Sequence, residues 1–414
     1  MSELHARLSF FLATDALKEV RRASWIYSTA RHETVAEHSW HTLLLAMLFA
    51  DAAPDGVDHN RVRDLLVVHD LVEVYAGDTS TWDDALRASE AEREMAAGER
   101  LMALLPEAVL PDFDPLWREF QAQETEDARF ARAIDTLHPV IMAWAEGAQG
   151  HGNVTITPSR VLERKRPTIE AYPHLWGCLL HILRGAVDRG MLDPDDVVVR
   201  GTGDEVEVST ELHAYLGRFD FFLVSDRLKE LQRANRIHTV SRFESVAEHS
   251  WHAMLLAMLF RDVAPDGTDH NRVGDLLIIH DLVEVYAGDT PLWNTELQQS
   301  EAERELDAAH QLLGLLPDND RDRFDSLIHE FLEQQTSEAR FARAIDSLHP
   351  LIISWTDGGF GHPEHRFTPT WLIERKRPTI EPFPELWTLA LSIFQDAVDR
   401  GMLPPDEMIH RRDR

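Results

Sequence analysis

A single cysteine, Cys178, occurs in 414 residues. One thiol builds no disulfide framework, and Cys178 reads as a small core residue rather than a nucleophile. Long apolar runs are missing too. The longest, Leu43–Ala50, falls far short of the roughly 20 residues of a membrane span. The opening MSELHARLSFFLATD carries acidic residues where a signal peptide needs a basic start. The expectation is a cytoplasmic protein with no membrane partner. Positive charge is also scarce: 41 Lys and Arg against 72 Asp and Glu give a formal net charge of −31. Such a field opposes long nucleic acid, whose binding requires many phosphates to be neutralised. A small phosphorylated metabolite stays within reach, because one bound metal ion and a few local arginines outweigh the global field at short range. Strand alternation is confined to VVVRGTGDEVEVSTEL, residues 197–212. This segment reads as an interdomain connection, either a plain linker or one carrying a short hairpin.

What is present is the same sequence twice. A shift of 211 positions lays residues 7–195 onto 218–406 without a gap. A period this long is a duplicated domain, not a solenoid unit. The domains are expected at 1–196 and 213–414, with the connection at 197–212. Each is long enough to bury a core of its own. Apolar residues recur at helical spacing in Trp40–Phe49, Val62–Val72, Ala91–Leu105, Phe130–Trp144 and Trp176–Val187, so the fold class is all-α, two helical bundles in tandem. Breakers fall at matching places: APDG at 53–56 and 264–267, AGD at 76–78 and 287–289, and a proline at 106 and 317. ERKRPTIE, at 163–170 and 374–381, reads as a solvated turn balancing an acidic surface, with phosphate binding the alternative.

A sparse set of metal-type residues survives in both copies: His38, His69, Asp70, Glu73, Asp78 and Asp135 fall on His249, His280, Asp281, Glu284, Asp289 and Asp346. Two imidazoles and two carboxylates from separate helices suit a divalent cation such as Mn, Co, Fe, Ni or Zn, with positions open for water and substrate. Glu73 lies four residues after His69 on the same helical face, where its carboxylate is placed to carry a proton. Asp78 follows a glycine turn and is placed to orient a substrate hydroxyl. Any one of these alone is more often a hydrogen-bonded core histidine, a cap or a turn residue. Duplicated together at identical spacing, they favour function, because so many buried acids and histidines are costly without a cation. His41 and His252 read as neighbours of the site or as residues packed beside tryptophan. His138 and His349 are placed to hydrogen-bond within it. His59 and His270 read as surface residues, and His151 and His362 as members of glycine-rich loops.

His…His-Asp…Asp on a helical scaffold, with ETVAEHSWH and ESVAEHSWH, HDLVEVYAGDT twice and ARFARAID twice, resembles the HD-domain metal-dependent phosphohydrolases. The resemblance covers nearly all of each half and points to the branch containing bacterial 5′-deoxynucleotidases and their small relatives. It implies metal ligands His38, His69, Asp70 and Asp135, repeated as His249, His280, Asp281 and Asp346. It implies catalytic roles for Glu73 and Glu284, and substrate positioning by Asp78 and Asp289. One divalent ion per domain, among Mn, Co, Fe, Ni, Zn or Mg, would activate a water that attacks phosphorus. The substrate implied is a small nucleotide, above all a (deoxy)nucleoside 5′-monophosphate. Deoxynucleotidases of this kind carry an adjacent Arg-Trp pair ahead of the first ligand, and here both copies depart from it. The first has Arg22 and Trp25 three apart, and the second has Arg233 with Arg236 in place of the tryptophan. The two sites are therefore candidates for different substrates. Arg31 and Arg242 are shared, and either serve phosphate or form surface ion pairs.

The alternatives are a deoxynucleoside triphosphate triphosphohydrolase, or one active domain beside a non-catalytic nucleotide sensor. An oxygen-dependent di-iron enzyme of this fold needs further histidines between the HD pair and the last aspartate, and none occurs between Asp70 and Asp135. Single-domain relatives pair as homodimers, so the tandem is expected to pack as an internal pseudo-dimer.

Overall fold

The computed structural model describes residues 3–27, 29, 31–145, 156–195, 209–238, 242–356, 360–362 and 365–411. Each half is a helical bundle, and its elements follow the same order twice. A helix (Glu3–Thr14; Thr210–Leu216 and Phe219–Ser225) runs into a 3₁₀ turn (Asp15–Lys18; Asp226–Lys229). An antiparallel ribbon follows, Arg21–Trp25 with His32–Thr34 and Gln232–Arg236 with Phe243–Ser245. Then come the central helix (Val35–Leu48; Val246–Leu259), a second helix ending just before the His-Asp pair (His59–Val68; His270–Ile279), and the long helix Glu126–Trp144 or Ser337–Thr356. All five expected helical segments lie on helices. The ribbons do not follow from the sequence, since RRASW and QRANR lack alternation; each packs against its long helix instead. Among the described residues no helix is long and apolar enough to cross a membrane.

The central helices begin with a capping box. Thr34 accepts from the Glu37 N–H while Glu37 accepts from the Thr34 N–H, and Ser245 and Glu248 repeat this. The boxes also interlock across the halves. Thr34 Oγ1 donates to Glu248 at 3.0 Å, and Ser245 Oγ donates to Glu37 at 3.0 Å. Trp40 Nε1 donates to the Ile278 carbonyl at 3.0 Å, and Trp251 Nε1 to the Val67 carbonyl at 3.2 Å. Buried between the halves, these helices are apolar almost all round, as a two-sided core helix must be.

The N-terminal elements of each repeat dock on the other repeat. Arg7 donates to the Leu259 carbonyl at 2.7 Å and pairs with Asp262, while Arg218 pairs with Asp51 at 2.7 Å. The Phe11 ring stacks on His252 with centroids 3.7 Å apart, and Phe222 stacks on His41 at 3.8 Å. Some contacts between the halves have no mirror image, among them those of Arg261 with Asp64 and of Arg323 with the Met47 carbonyl. Arg63 reaches across to the Asn271 carbonyl and Asp275, and its counterpart Gly274 leaves the room it needs, since a Cβ there would lie 2.7 Å from the Arg63 Nε.

ERKRPTIE is helical rather than a turn. It forms the body of Pro158–Ile169 and Pro369–Ile380, each opened by a threonine cap and a proline at its start. Pro167 and Pro378 sit in the last turn, and Lys165 and Lys376 face inward and are buried. Cys178 is a core residue, its thiol pushed up to about 12 by burial. The connection expected at 197–212 lies outside the described residues up to 208; Ser209 then caps the helix Thr210–Leu216. His151 also lies outside them.

Packing has drifted in step in the two copies. A methyl on Gly98 would overlap the Trp117 ring, whereas the second half carries Ala309 with Ile328 at these positions. Gly98→Ala should destabilise the protein by about 1–3 kcal/mol through overpacking. Adding Trp117→Ile should recover most of the loss, and thermal unfolding of both variants checks this.

Candidate functional site

Three elements bring the predicted ligands together in each half. His38 lies in the first turns of the central helix, His69 and Asp70 follow the second helix, and Asp135 comes from the long helix. Pro139 and Pro350, four residues after Asp135 and Asp346, have no N–H to offer those aspartate carbonyls, so the long helix is weakened beside the site. His38 Nε2 lies 3.0 Å from Asp135 Oδ1 and 3.8 Å from Asp70 Oδ2; His69 Nε2 lies 3.1 Å from Asp70 Oδ2 and 3.9 Å from Asp135 Oδ1. The second half repeats these separations as 3.0, 3.9, 3.1 and 3.9 Å among His249, Asp346, Asp281 and His280. Ligands about 2.0–2.2 Å from one ion lie about 3–3.5 Å from each other, and this spread brackets that spacing.

The donor chemistry fits a cation. His69 Nδ1 donates to the Leu66 carbonyl at 2.7 Å, and His280 Nδ1 donates to the Leu277 carbonyl at 2.9 Å, which leaves Nε2 of both rings as a bare lone pair. Both Nε2 atoms are buried and without a hydrogen-bond partner. Burial alone would raise the aspartates, yet His69 and Arg22 hold Asp70 well down, His38, His69 and Arg132 hold Asp135 well down, and Asp281 falls to about 2 beside His280 and Arg233. They are carboxylates at every physiological pH.

Glu73 and Glu284 have the opposite character. Burial and the charge of Asp70 or Asp281 push their carboxyls well above the usual range. Asp78 and Asp289 are raised by burial as well. Gly77 and Gly288, at φ 72° and 76°, make the turn that aims these aspartates back at the site. Arg22 Nη1 stands among the acids at 2.6 Å from Asp70, 3.4 Å from Asp78 and 3.7 Å from Glu73. Arg233 does the same at 2.8 Å from Asp281 and 3.7 Å from Asp289.

A cavity opens beside each cluster, of about 630 Å³ in the first half and about 330 Å³ in the second. Arg22, Arg233 and Arg236 line these cavities. Trp25 instead packs at a tilt of 36° against His32, with centroids 4.5 Å apart. Arg31 and Arg242 are a correction: neither serves the site. Arg31 is bound to Glu37 at 2.7 Å and to the Lys229 carbonyl, and Arg242 to Glu248 at 2.6 Å and the Lys18 carbonyl, because the interlocked capping boxes need a counter-charge.

Sequence reasoning missed two pairs. Lys165 and Lys376 lie on the cavity walls, brought down to about 8 by burial, with no carboxylate of the described residues within ion-pair distance. Reading ERKRPTIE as a turn hid them; helical spacing would have put the lysine on the inner face. Glu33 and Glu244, the first residue of E-T/S-V-A-E-H-S, are fully buried behind the first histidine. Their repetition was a signal, and so was that of D-x-L-K at 15–18 and 226–229, which supplies their partners. His138 does hydrogen-bond within the site, Nδ1 to Nδ1 of His38 at 3.2 Å.

A family model described as HD domain matches residues 14–176 and again residues 225–387. Among curated proteins, the chain is similar to a 5′-deoxynucleotidase of Mus musculus, 29% identical over 137 residues, covering 33% of this chain and 67% of that protein. A 5′-deoxynucleotidase of Xenopus laevis is 31% identical over 137 residues, with 33% and 67% covered. One of Vibrio vulnificus is 28% identical over 193 residues, covering 43% of this chain and 97% of that protein. A solved structure described as a "predicted metal-dependent phosphohydrolase" of Magnetospirillum magnetotacticum is 33% identical, with a TM-score of 0.45, and covers 48% of this chain and 100% of that one.

Arg22 is the cation that the acids of the first site share when no metal is supplied. In chelator-treated protein, Arg22→Met should cost about 3 kcal/mol by stranding buried carboxylates. Added Mn²⁺ should then raise the melting temperature of the variant by more than it raises that of the parent, as read by calorimetry.

Proposed function

The chain belongs to the HD-domain family, with one copy in each half, and on that premise we propose that it is a metal-dependent phosphohydrolase removing phosphate from a nucleoside 5′-monophosphate at two sites. The observation that carries this reading is the convergence, in each half, of two imidazole nitrogens and two carboxylates beside a cation-lined cavity. His38, His69, Asp70 and Asp135 would hold the ion in the first half, and His249, His280, Asp281 and Asp346 in the second. A bound divalent ion supplies a Lewis acid and lowers the pKa of water toward neutrality.

The chain's own residues do the rest. Arg22 with Lys165, and Arg233 with Lys376, meet the phosphate oxygens and the charge that grows on them in the transition state. Glu73 and Glu284, whose carboxyls bind protons more tightly than usual, take the proton of the attacking water and return it to the leaving sugar oxygen. Asp78 and Asp289 orient the substrate. Arg236, standing where the first half has Trp25, supports a different base or sugar preference in the second site. The packing of one half on the other takes the place of the subunit contact of single-domain relatives.

The test is orthophosphate release from ribo- and deoxyribonucleoside mono- and triphosphates by metal-stripped protein given Mn²⁺, Co²⁺, Fe²⁺ or Mg²⁺. Release from monophosphates is expected, with partial loss in His69→Ala or His280→Ala and complete loss in the double variant. Release of tripolyphosphate from triphosphates would overturn the phosphomonoesterase reading, and full activity in one single variant with none in the other would mark one half as non-catalytic. Lys165→Met with Lys376→Met should raise KM by about 10- to 100-fold, the worth of a hydrogen bond to a charged group. A lysine attracts phosphate only when protonated, so the parent KM should climb as pH rises through about 8, and this climb should vanish in the double lysine variant.

A further inference from the structure

Behind the first histidine of each candidate metal centre runs a chain of buried histidines that ends in the other repeat. In the first half, His38 Nδ1 meets His138 Nδ1 at 3.2 Å, His138 Nε2 meets His41 Nδ1 at 3.1 Å, and His41 Nε2 meets the Phe222 carbonyl at 3.0 Å. A carbonyl only accepts, so His41 must donate from Nε2. With neutral rings each N···N contact holds one hydrogen, and the direction is fixed along the whole chain. His41 Nδ1 accepts from His138 Nε2, and His138 Nδ1 accepts from His38 Nδ1. His38 Nε2 itself lies at hydrogen-bond distance, 3.0 Å, from Asp135 Oδ1, and with a cation there in place of a proton the direction of the chain leaves Nε2 as the lone pair that meets it. Reversing the chain would put a hydrogen on Nε2 and close the site to a cation.

A buried carboxylate backs the same tautomer. Glu33 Oε1 lies 3.6 Å from His38 Nδ1 and 4.0 Å from His138 Nδ1, fully buried and without a hydrogen-bond partner. Its other oxygen accepts from Lys229 Nζ at 2.7 Å. Lys229 belongs to the second repeat and is shared with Asp226, at 2.7 Å, whose other oxygen accepts from the Tyr27 N–H of the first. The mirror arrangement is complete. His249, His349 and His252 run to the Phe11 carbonyl at 3.0 Å, and Lys18 of the first repeat donates to Glu244 at 2.8 Å and pairs with Asp15 at 2.6 Å. All of Glu33, Glu244, Lys18 and Lys229 are buried.

We propose that each metal centre is held in its ligating form by the opposite repeat: Lys229 and the Phe222 carbonyl position His38, and Lys18 and the Phe11 carbonyl position His249. This rests on the reading of the two clusters as metal centres. A carboxylate behind a histidine raises the basicity and fixes the orientation of the ligating nitrogen, and losing such a partner typically weakens metal binding 10- to 100-fold. Here the partner's own anchor comes from the other domain, so the two centres are coupled crosswise.

The experiment uses the full chain carrying His280→Ala, which closes the second centre, and measures Mn²⁺ binding to the first by calorimetry and by electron paramagnetic resonance. Lys229→Met should weaken that binding about 10- to 100-fold, although Lys229 lies in the repeat whose centre is closed. Lys229→Met with Glu33→Gln and Asp226→Asn removes both buried carboxylates that the lysine neutralises; it should recover the melting temperature and leave Mn²⁺ binding weak, because the Glu33 carboxylate is still missing. Arg218→Met, which loosens the same docked segment away from the histidines, should lower the melting temperature and leave Mn²⁺ affinity unchanged. Parental affinity in both Lys229 variants would overturn the inference, as would an equal loss in Arg218→Met, which would mean that docking alone matters. Failure of the His280→Ala parent to take up Mn²⁺ would overturn the metal reading along with it, so the two failures are told apart.

Discussion

Two buried lysines, each neutralised by a glutamate of the other repeat, set the terms for the whole molecule. Lys18 and Lys229 have no exposure to solvent, and neither have Glu244 and Glu33. Each lysine has one aspartate of its own repeat, Asp15 or Asp226, and the glutamate of the other repeat completes the cluster. Breaking a buried pair costs about 3–5 kcal/mol, and separation of the halves would break both Lys–Glu pairs while exposing apolar faces of the central helices. The capping glutamates add to this. Glu37 and Glu248 close their own helices and accept from the hydroxyls that cap the other pair, so the start of each central helix is set jointly.

From that start the chemistry follows in short steps. Fixing the first turn of the central helix fixes His38 or His249. The following helix ends at the next histidine, whose Nδ1 donates to a carbonyl in its own last turn and leaves Nε2 facing inward. Two aspartates are held ionised by the imidazoles and the arginine around them, and two neighbouring acids are held proton-hungry by burial and by those same aspartates. Opposite proton affinities within one cluster are what separate a ligand from a proton carrier.

Much of this was legible in the sequence because the chain repeats itself. The ligand set, Glu73 and Asp78 stood out as residues kept at identical spacing in two copies whose cores had drifted, as Gly98 with Trp117 and Ala309 with Ile328 show. Other features left no readable trace. Spacing within a repeat says nothing about which repeat a side chain touches, so the Glu33–Lys229 exchange was hidden although both residues recur. Lys165 was masked by the proline two residues later, which suggests a turn but sits in the final turn of a helix. For Arg31 and Arg242 the sequence left phosphate binding and an ion pair equally open, because spacing does not say which anion an arginine meets. Theirs is a capping glutamate.

The contact of Arg63 with Gly274 concerns which halves can recognise each other. In a pair of identical subunits every residue near the symmetry axis meets its own copy. Two first halves would bring two guanidinium groups into the space that holds one, and two second halves would leave two glycines facing a gap. The unlike pair alone combines knob and hole, with the guanidinium satisfied by Asn271 and Asp275. This position, with Arg261 and Arg323 beside it, makes the two faces complementary to each other rather than to themselves, so that a like pairing would meet a clash in one case and a void in the other.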